Sequence, residues 1–329
     1  MLDQENICLS VEKTQREYKS VAPEIVQTSS FQFDDFQHYV DVNMNKKSAY
    51  TYTRGENPTL TILEEKLAQL EKGECAKVFA SGMGAISATI LSLVQQKDHI
   101  VIVNTVYGST VKFIQNLERF GVESTKIDVS STEDIFAFVK DNTRMIYFES
   151  PSSQKFEMLD LEMISQFAKQ RNIITVIDNT WATPLFQNPL VHGIDIVIHS
   201  CSKYIGGHSD LVGGVVISNQ KYIHEINGFG QIFLGATMSP MNAWLALRGL
   251  RTLPVRLKSQ EQSVKQVIQF LQQILYVKKI YHPMVHTSTD LTDKYLKGYG
   301  SLLSFVLKDA TPDVIERFVD SLKHFTLAY

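Results

Sequence analysis

Asp195-Ile-Val-Ile-His199 runs directly into Ser200-Cys-Ser-Lys-Tyr-Ile-Gly-Gly-His-Ser209, and upstream Ile173-Ile-Thr-Val-Ile177 runs into Asp178-Asn-Thr180. Short continuous apolar runs bounded by polar residues read as buried strands. One of them delivers Lys203, flanked by small hydroxyl residues and followed by a Gly-Gly turn; the other ends in an acid. Two such strands fit the carboxyl edge of an open α/β sheet, where folds of this kind hold their ligands. A lysine after a strand is ordinarily a solvated charge, and the acid on the neighbouring strand sets this one apart. Lys203 is expected beside packed core, where loss of water disfavours the ammonium and lowers its pKa. The neutral amine so produced is the form that attacks a carbonyl.

The surrounding sequence supplies the rest of such a sheet. From Thr59 on, Leu60, Leu63, Leu67 and Leu70 recur at helical spacing, and Gly73 is expected to close that helix. Apolar patterning then predicts helices over 85–95, 110–120, 132–140 and 160–171. It predicts strands over 99–103, 124–129, 145–148, 173–177, 195–198 and 213–217. Strands alternating with helices indicate a mainly parallel sheet covered on both faces, an α/β fold. Residues 1–48 are polar and irregular and read as an arm, either disordered or ordered against another subunit. Past residue 240 the character changes: Trp244–Arg248 and Val264–Leu275 read as helix, Ser301–Leu307 as strand, and Pro312–Lys323 as helix after Thr311. This predicts one domain over 49–240 and a smaller α+β domain over 241–329. The ending His324-Phe-Thr-Leu-Ala-Tyr329 is apolar with no polar tail, and predicts a chain cut short within that second domain.

Composition narrows the classes. The 329 residues are 44% hydrophobic and 20% charged with a net charge of −3, the balance of an ordinary globular protein. No long basic run offers a grip on nucleic acid or a membrane surface. The opening Met1-Leu-Asp-Gln-Glu5 is unlike a signal peptide, and no apolar run has the length of a bilayer span. Cys8, Cys75 and Cys201 have neither metal-ligand spacing nor the density of a disulfide framework, so a reducing cytoplasm is expected. His192, His199 and His208 lack companion acids or cysteines at ligand spacing, and no metal site is expected. Cys201 is expected to pack rather than attack, and Trp181 and Trp244 to fill core or line a pocket wall.

Three further features bear on chemistry. Ser81-Gly-Met-Gly-Ala-Ile86 opens a helix, where glycines let backbone N–H groups face an anion and the helix dipole adds attraction. Arg54, in Tyr50-Thr-Tyr-Thr-Arg-Gly-Glu-Asn-Pro-Thr59, could offer the same phosphate a charge-assisted fork. Tyr107, in Asn104-Thr-Val-Tyr-Gly108, follows a strand and could stack on a flat ring. Together these parts match what pyridoxal phosphate requires: a lysine for covalent attachment, an acid to keep its pyridine nitrogen protonated, an anion site and a flat face. Asp178 is the candidate acid.

From Tyr50 to Tyr329 the chain resembles the Cys/Met-metabolism family of pyridoxal-phosphate enzymes, which includes cystathionine γ-synthase, cystathionine β- and γ-lyases and methionine γ-lyase. The matching runs are Tyr-Thr-Arg-Gly-Glu-Asn-Pro-Thr at 52–59, Ser-Gly-Met at 81–83, Glu-Ser-Pro at 149–151, Asp-Asn-Thr-Trp-Ala-Thr-Pro at 178–184, His-Ser-Cys-Ser-Lys-Tyr-Ile-Gly-Gly-His-Ser-Asp at 199–210 and Leu-Arg-Gly-Leu-Arg-Thr-Leu at 247–253. The resemblance implies the type I aminotransferase-like fold. It implies that Lys203 carries the cofactor and moves protons, Asp178 pairs with the pyridine nitrogen and Tyr107 stacks on the ring. Gly82, Met83, Ser200 and Ser202 would bind the phosphate, with Tyr52 and Arg54 reaching it from a neighbouring subunit in a homodimer or homotetramer. The implied activity is a transsulfuration-type C–S lyase on cystathionine, methionine or a related sulfur amino acid. The alternatives are γ-replacement on an activated homoserine ester and a non-catalytic cofactor-binding scaffold. Ser153-Gln154 stands where many members have Asn-Pro, and Ser109 where methionine γ-lyases often carry Cys. The arginine that clamps the substrate carboxylate in the family has no counterpart that can be assigned.

Overall fold

Strands form where the apolar runs are unbroken. His99–Val103 (β2) is buried at every position, and Ile174–Asp178 (β5) and Ile196–Ser200 (β6) are buried up to their last residue. With Cys75–Phe79 (β1), Glu123–Ile127 (β3), Thr143–Glu149 (β4) and Gly214–Ser218 (β7) they form a seven-stranded sheet in the order β1-β7-β6-β5-β4-β2-β3. The pairings β2–β3, β2–β4, β4–β5 and β5–β6 are parallel, and β7 runs antiparallel to both its neighbours. The mainly parallel sheet expected from the sequence is present. The computed structural model describes residues 2–10, 19–286 and 289–328.

Helices cover both faces. Gly82–Leu93 (α4) and Gly108–Asn116 (α5) pack with Ile174, Val176, Ile196 and Ile198 on one face. Pro58–Glu71 (α3), Leu161–Gln170 (α6) and the 34-residue Pro240–Gln273 (α9) lie on the other, against residues such as Val197, Ile177, Val215 and Ile217. Leu60, Leu63, Leu67 and Leu70 are all buried on α3, each contributing roughly 1.5–3 kcal/mol of apolar burial. That helix ends one residue earlier than its glycine suggests: Lys72 takes the left-handed conformation, and the Gly73 N–H donates to Ala68 O at 2.9 Å.

Several expectations are corrected. The 132–140 helix is a short 3₁₀ segment, Glu133–Phe138. The two helices expected after residue 240 are one, continuous through Pro254. β1 escaped the periodicity because Lys77 interrupts it; its ammonium lies 3.1 Å from the buried Glu64 carboxylate, which also accepts the Val78 N–H. The amino-terminal arm is not wholly irregular: Leu2–Leu9 (α1) and Phe36–Asn43 (α2) are helical. α1 buries Cys8 and Gln4, whose amide donates to Leu70 O and Pro184 O, so contacts distant in sequence hold it. Residues 11–18 of the expected arm lie outside the described residues.

The shorter helix Thr183–Phe186 (α7) lies between β5 and β6, and Gln220–Glu225 (α8) follows β7 on the way to α9. Beyond α9, Val277–Tyr281 (β8) pairs antiparallel with Ser304–Leu307 (β9), and Pro283–His286 (α10), Thr289–Tyr295 (α11) and Pro312–Asp320 (α12) accompany them. This region has its own apolar cluster of Val264, Ile268, Leu271 and Ile280. Among the described residues, no helix is long and apolar enough to cross a membrane.

Candidate active site

The parallel strands end together, and the last residues of β4, β5 and β6 share a face. Side chains alternate along a strand, so Glu149 follows Met145 and Tyr147, Asp178 follows Ile174 and Val176, and Ser200 follows Ile196 and Ile198 onto the α4 side. Glu149 and Asp178 are register partners across β4 and β5. The amino terminus of α4 meets this edge. Ser81 caps the helix through its hydroxyl, which accepts the Gly84 N–H at 2.9 Å. The first-turn N–H groups of Gly82 and Met83 have no intrahelical acceptor and none among the described residues. A Cβ on Gly82 would lie 3.1 Å from both Cβ and Oγ of Ser200, so any larger residue would make the strand end give by a few tenths of an ångström.

Asp178 is held by the residue that follows its neighbour. Its Oδ1 accepts the Thr180 N–H at 3.0 Å and the Thr180 hydroxyl at 2.5 Å. The Thr180 Oγ1 in turn accepts the Ser200 N–H at 2.8 Å, so one hydroxyl links the ends of β5 and β6. Among the described residues no hydrogen bond reaches Asp178 Oδ2. Burial raises the Asp178 carboxyl above its ordinary range, while the Thr180 bonds and the His199 charge oppose that rise. Beside it, burial and then the Asp178 charge push Glu149 up to about 8. The Glu149 carboxylate accepts the Tyr107 N–H at 2.7 Å and the Ser153 hydroxyl at 2.5 Å. Tyr107 itself stands at the amino-terminal cap position of α5 and is 38% exposed at the same edge.

Lys203 departs from expectation. It is exposed, not set against packed core. The chain leaves the sheet after Ser200 in a turn in which the Lys203 N–H donates to Ser200 O at 3.2 Å and Gly206 N–H to Cys201 O at 2.8 Å. Cys201 and Ile205 take the inward positions of that turn, which lifts Lys203 outward. α9 presses on the turn from behind: a Cβ on Gly249 would meet Ile205 O at 2.3 Å. Ser202 is also engaged otherwise, its hydroxyl accepting the Gly213 N–H at 3.1 Å. Cys201 is buried and its thiol is pushed up to about 12, which suits packing and not nucleophilic attack. Tyr52 and Arg54 are exposed, with the guanidinium 5.0 Å from the tyrosine ring centre. Neither of their side chains hydrogen-bonds to another described residue. Trp181 packs against the core and Trp244 donates to Pro23 O at 3.0 Å. No group of His, Cys, Asp or Glu among the described residues converges as metal ligands.

Sequence reading missed Thr180 and Glu149 as site members, although both stand in the motif runs. The signal for each was position: one ends a strand, the other follows a strand end by two residues. The raised carboxyls have a consequence for stability. Glu64, pushed up to about 7 mainly by burial, and Glu149 both bind their protons more tightly in the folded than in the unfolded chain. Their contribution is fully present below the ordinary value of 4.5 and is lost as pH rises through about 7 and about 8 respectively. The thermal midpoint of the cofactor-free protein is expected to fall between about pH 5 and about pH 8.5. Glu149→Gln should flatten the upper part of that slope, and a midpoint that climbs across the range would contradict it.

The sequence profile of the family described as "Cys/Met metabolism PLP-dependent enzyme" matches residues 6–329. The chain is 38% identical over 296 residues to an L-methionine gamma-lyase of Fusobacterium nucleatum subsp. polymorphum, covering 88% of this chain and 75% of that protein. It is 36% identical over 318 residues to a cystathionine beta-lyase of Lactococcus lactis subsp. cremoris, covering 96% and 81%. A solved structure of a putative O-acetylhomoserine (thiol)-lyase from Campylobacter jejuni, described with a pyridoxyl-lysine monophosphate, superposes with a TM-score of 0.91 at 28% identity, covering 99% of this chain and 90% of that one. The fold is therefore that of the type I pyridoxal-phosphate enzymes, and the chain belongs to the Cys/Met metabolism family of PLP-dependent enzymes.

Proposed function

We propose that this protein is a carbon–sulfur lyase acting by β- or γ-elimination on cystathionine, methionine or a related sulfur amino acid. The observation that carries the reading is the joining, through Thr180 Oγ1, of the Asp178 carboxylate to the strand end that leads into Lys203. The residues fit pyridoxal phosphate: among the described residues, two first-turn amides of α4 stand without acceptors beside Gly82, and no hydrogen bond reaches the second oxygen of Asp178. When bound, the cofactor supplies an electron sink for negative charge at the substrate Cα.

The chain's own groups do the rest. Gly82 and Met83 N–H groups, with the Ser200 hydroxyl, would bind the phosphate at the positive end of α4. Ser202 would join them by turning from Gly213. Asp178 Oδ2 would hold a proton on the pyridine nitrogen, and the Tyr107 ring would orient the flat cofactor. Lys203 Nζ would anchor the cofactor, then take the proton from the substrate Cα and return one to the departing sulfur. With one water taken up to hydrolyse the resulting imine, thiol, ammonia and a 2-oxo acid would be the products. Tyr52 and Arg54 would serve a second copy of this chain, making a homodimer the smallest active unit and a homotetramer a natural assembly; their exposure supports this, as do side chains that hydrogen-bond to no other described residue. The domain division at residue 240 and a cytoplasmic setting, supported by three free cysteines, belong to the same reading.

A substrate panel tests the reaction. Cystathionine and methionine are expected to release a thiol and a 2-oxo acid, followed by a coupled dehydrogenase assay. The rival is γ-replacement, favoured by the likeness to a putative O-acetylhomoserine (thiol)-lyase. Faster formation of cystathionine from O-acetyl- or O-succinylhomoserine plus cysteine than any elimination would make the protein a synthase. Cofactor uptake with no turnover of either kind would leave a binding scaffold.

A further inference from the structure

Glu71 is the last residue of α3 and is fully buried. The carboxyl end of a helix carries partial negative charge, and burial of a carboxylate is costly without partners. Nothing local favours an acid here, so its neighbours must hold it. His199 Nε2 lies 2.5 Å from Glu71 Oε1, with both side chains buried, and a hydrogen must lie between two atoms so close. Asn179 Nδ2 donates to the same oxygen at 2.8 Å, and Asn188 Nδ2 to Oε2 at 3.4 Å.

The positions of these partners matter. Asn179 directly follows Asp178, and His199 directly precedes Ser200. Strand alternation puts His199 with Val197 on the α3 side of the sheet, opposite Asp178 and Ser200. One carboxylate on the back of the sheet thus grips the neighbours of two site residues on its front, just where the β5–β6 ladder ends at Asp178 and Ile198. The grip extends further: Asn188 Oδ1 accepts Lys297 Nζ at 2.7 Å and Gln4 Nε2 at 3.2 Å, tying α1 and the carboxyl-terminal region to the same point.

We propose that Glu71, through His199 and Asn179, is a positioning residue that fixes the spacing and the electrostatic setting of Asp178 relative to Ser200 and the Lys203 turn. The proposal rests on reading that edge as the cofactor site. Charge runs in the same sense as geometry: Asp178 faces Glu149 and Tyr147 from β4 and senses the charge of His199 across the sheet, and only His199 favours its ionised form. On the other side Glu71 faces His199 and, through Asn188, Lys297, which also senses Lys72.

Glu71→Gln preserves size and can still accept from Asn179 while removing the acid. Wild type and variant are loaded with pyridoxal phosphate, and two quantities are read: the dissociation constant from an absorbance titration, and the pH midpoint of the visible absorbance. The variant is expected to bind roughly tenfold more weakly, as when an outer-shell partner is lost elsewhere, with the midpoint moved by about half a pH unit or more. His199→Asn, a milder change that guards against misfolding of the first, should shift both readouts the same way. The double variant should add little to either, since both act in one unit. A purely architectural role would lower the thermal midpoint and leave both readouts unchanged, and that result overturns the proposal while the site reading stands. A wild-type protein that takes up no cofactor overturns the site reading and this proposal with it.

Discussion

Lys203→Ala is expected to eliminate the visible absorbance of the cofactor-bound protein and to cut 2-oxo acid release by about 10³-fold or more, the scale of losing a group that moves protons in the reaction. Its exposure makes the experiment clean. Surface substitutions away from special contacts change stability by about 0.5 kcal/mol or less. The Lys203 N–H and C=O bonds to Ser200 and Gly207 belong to the backbone and survive the change. A variant with unaltered thermal midpoint and no activity would therefore have lost chemistry and not structure. Lys203→Arg should fare no better, because a guanidinium stays charged and cannot attack a carbonyl. Retention of wild-type turnover in Lys203→Ala would end the lyase reading and its synthase rival together.

What could be read in advance was the part of the protein that periodicity encodes. β2, β5 and β6 are unbroken apolar runs, and their ends carry the polar residues that matter, so both sheet and site edge were visible. The failures have physical causes. β1 was hidden by Lys77, whose charge is tolerated only because Glu64, thirteen residues away in sequence, meets it in the core. α1 was hidden because its anchors, Leu70 and Pro184, are remote in the chain. The exposure of Lys203 could not be inferred from residue types, since it depends on which positions of a turn face inward; Cys201 and Ile205 won those places. Glu71 and His199 looked like a helix-end acid and a strand histidine, and their 2.5 Å contact exists only once α3 packs behind β6. Motifs announce the groups that touch a ligand, while the supports behind them are distributed through the fold.

Asp178→Asn separates charge from shape. The amide oxygen of Asn can still accept the Thr180 N–H and hydroxyl, which now bind Oδ1 at 3.0 and 2.5 Å, so the link to Ser200 through Thr180 should persist. The lost item is the negative charge that would keep the pyridine nitrogen cationic. The α4 amides and Lys203 are untouched, and cofactor uptake with a visible absorbance is expected to survive, weakened by roughly tenfold on the scale of a charge-assisted hydrogen bond. Turnover should fall by about 10²–10³-fold, the usual cost of removing one group that stabilises developing charge. This pairing of retained colour with lost rate is opposite to the Lys203→Ala outcome, where both vanish. A second effect follows from the Glu149 partnership across β4 and β5. With the Asp178 charge gone, one of the causes holding the Glu149 carboxyl near 8 disappears, although burial, the larger cause, remains. The decline in thermal midpoint of the cofactor-free protein with rising pH should therefore end at lower pH, because Glu149 ionises sooner in the folded chain, and reach a smaller total. An Asp178→Asn protein with full turnover would show that the acid at the end of β5 serves only to order Thr180, and would remove the electrostatic basis of the proposed mechanism.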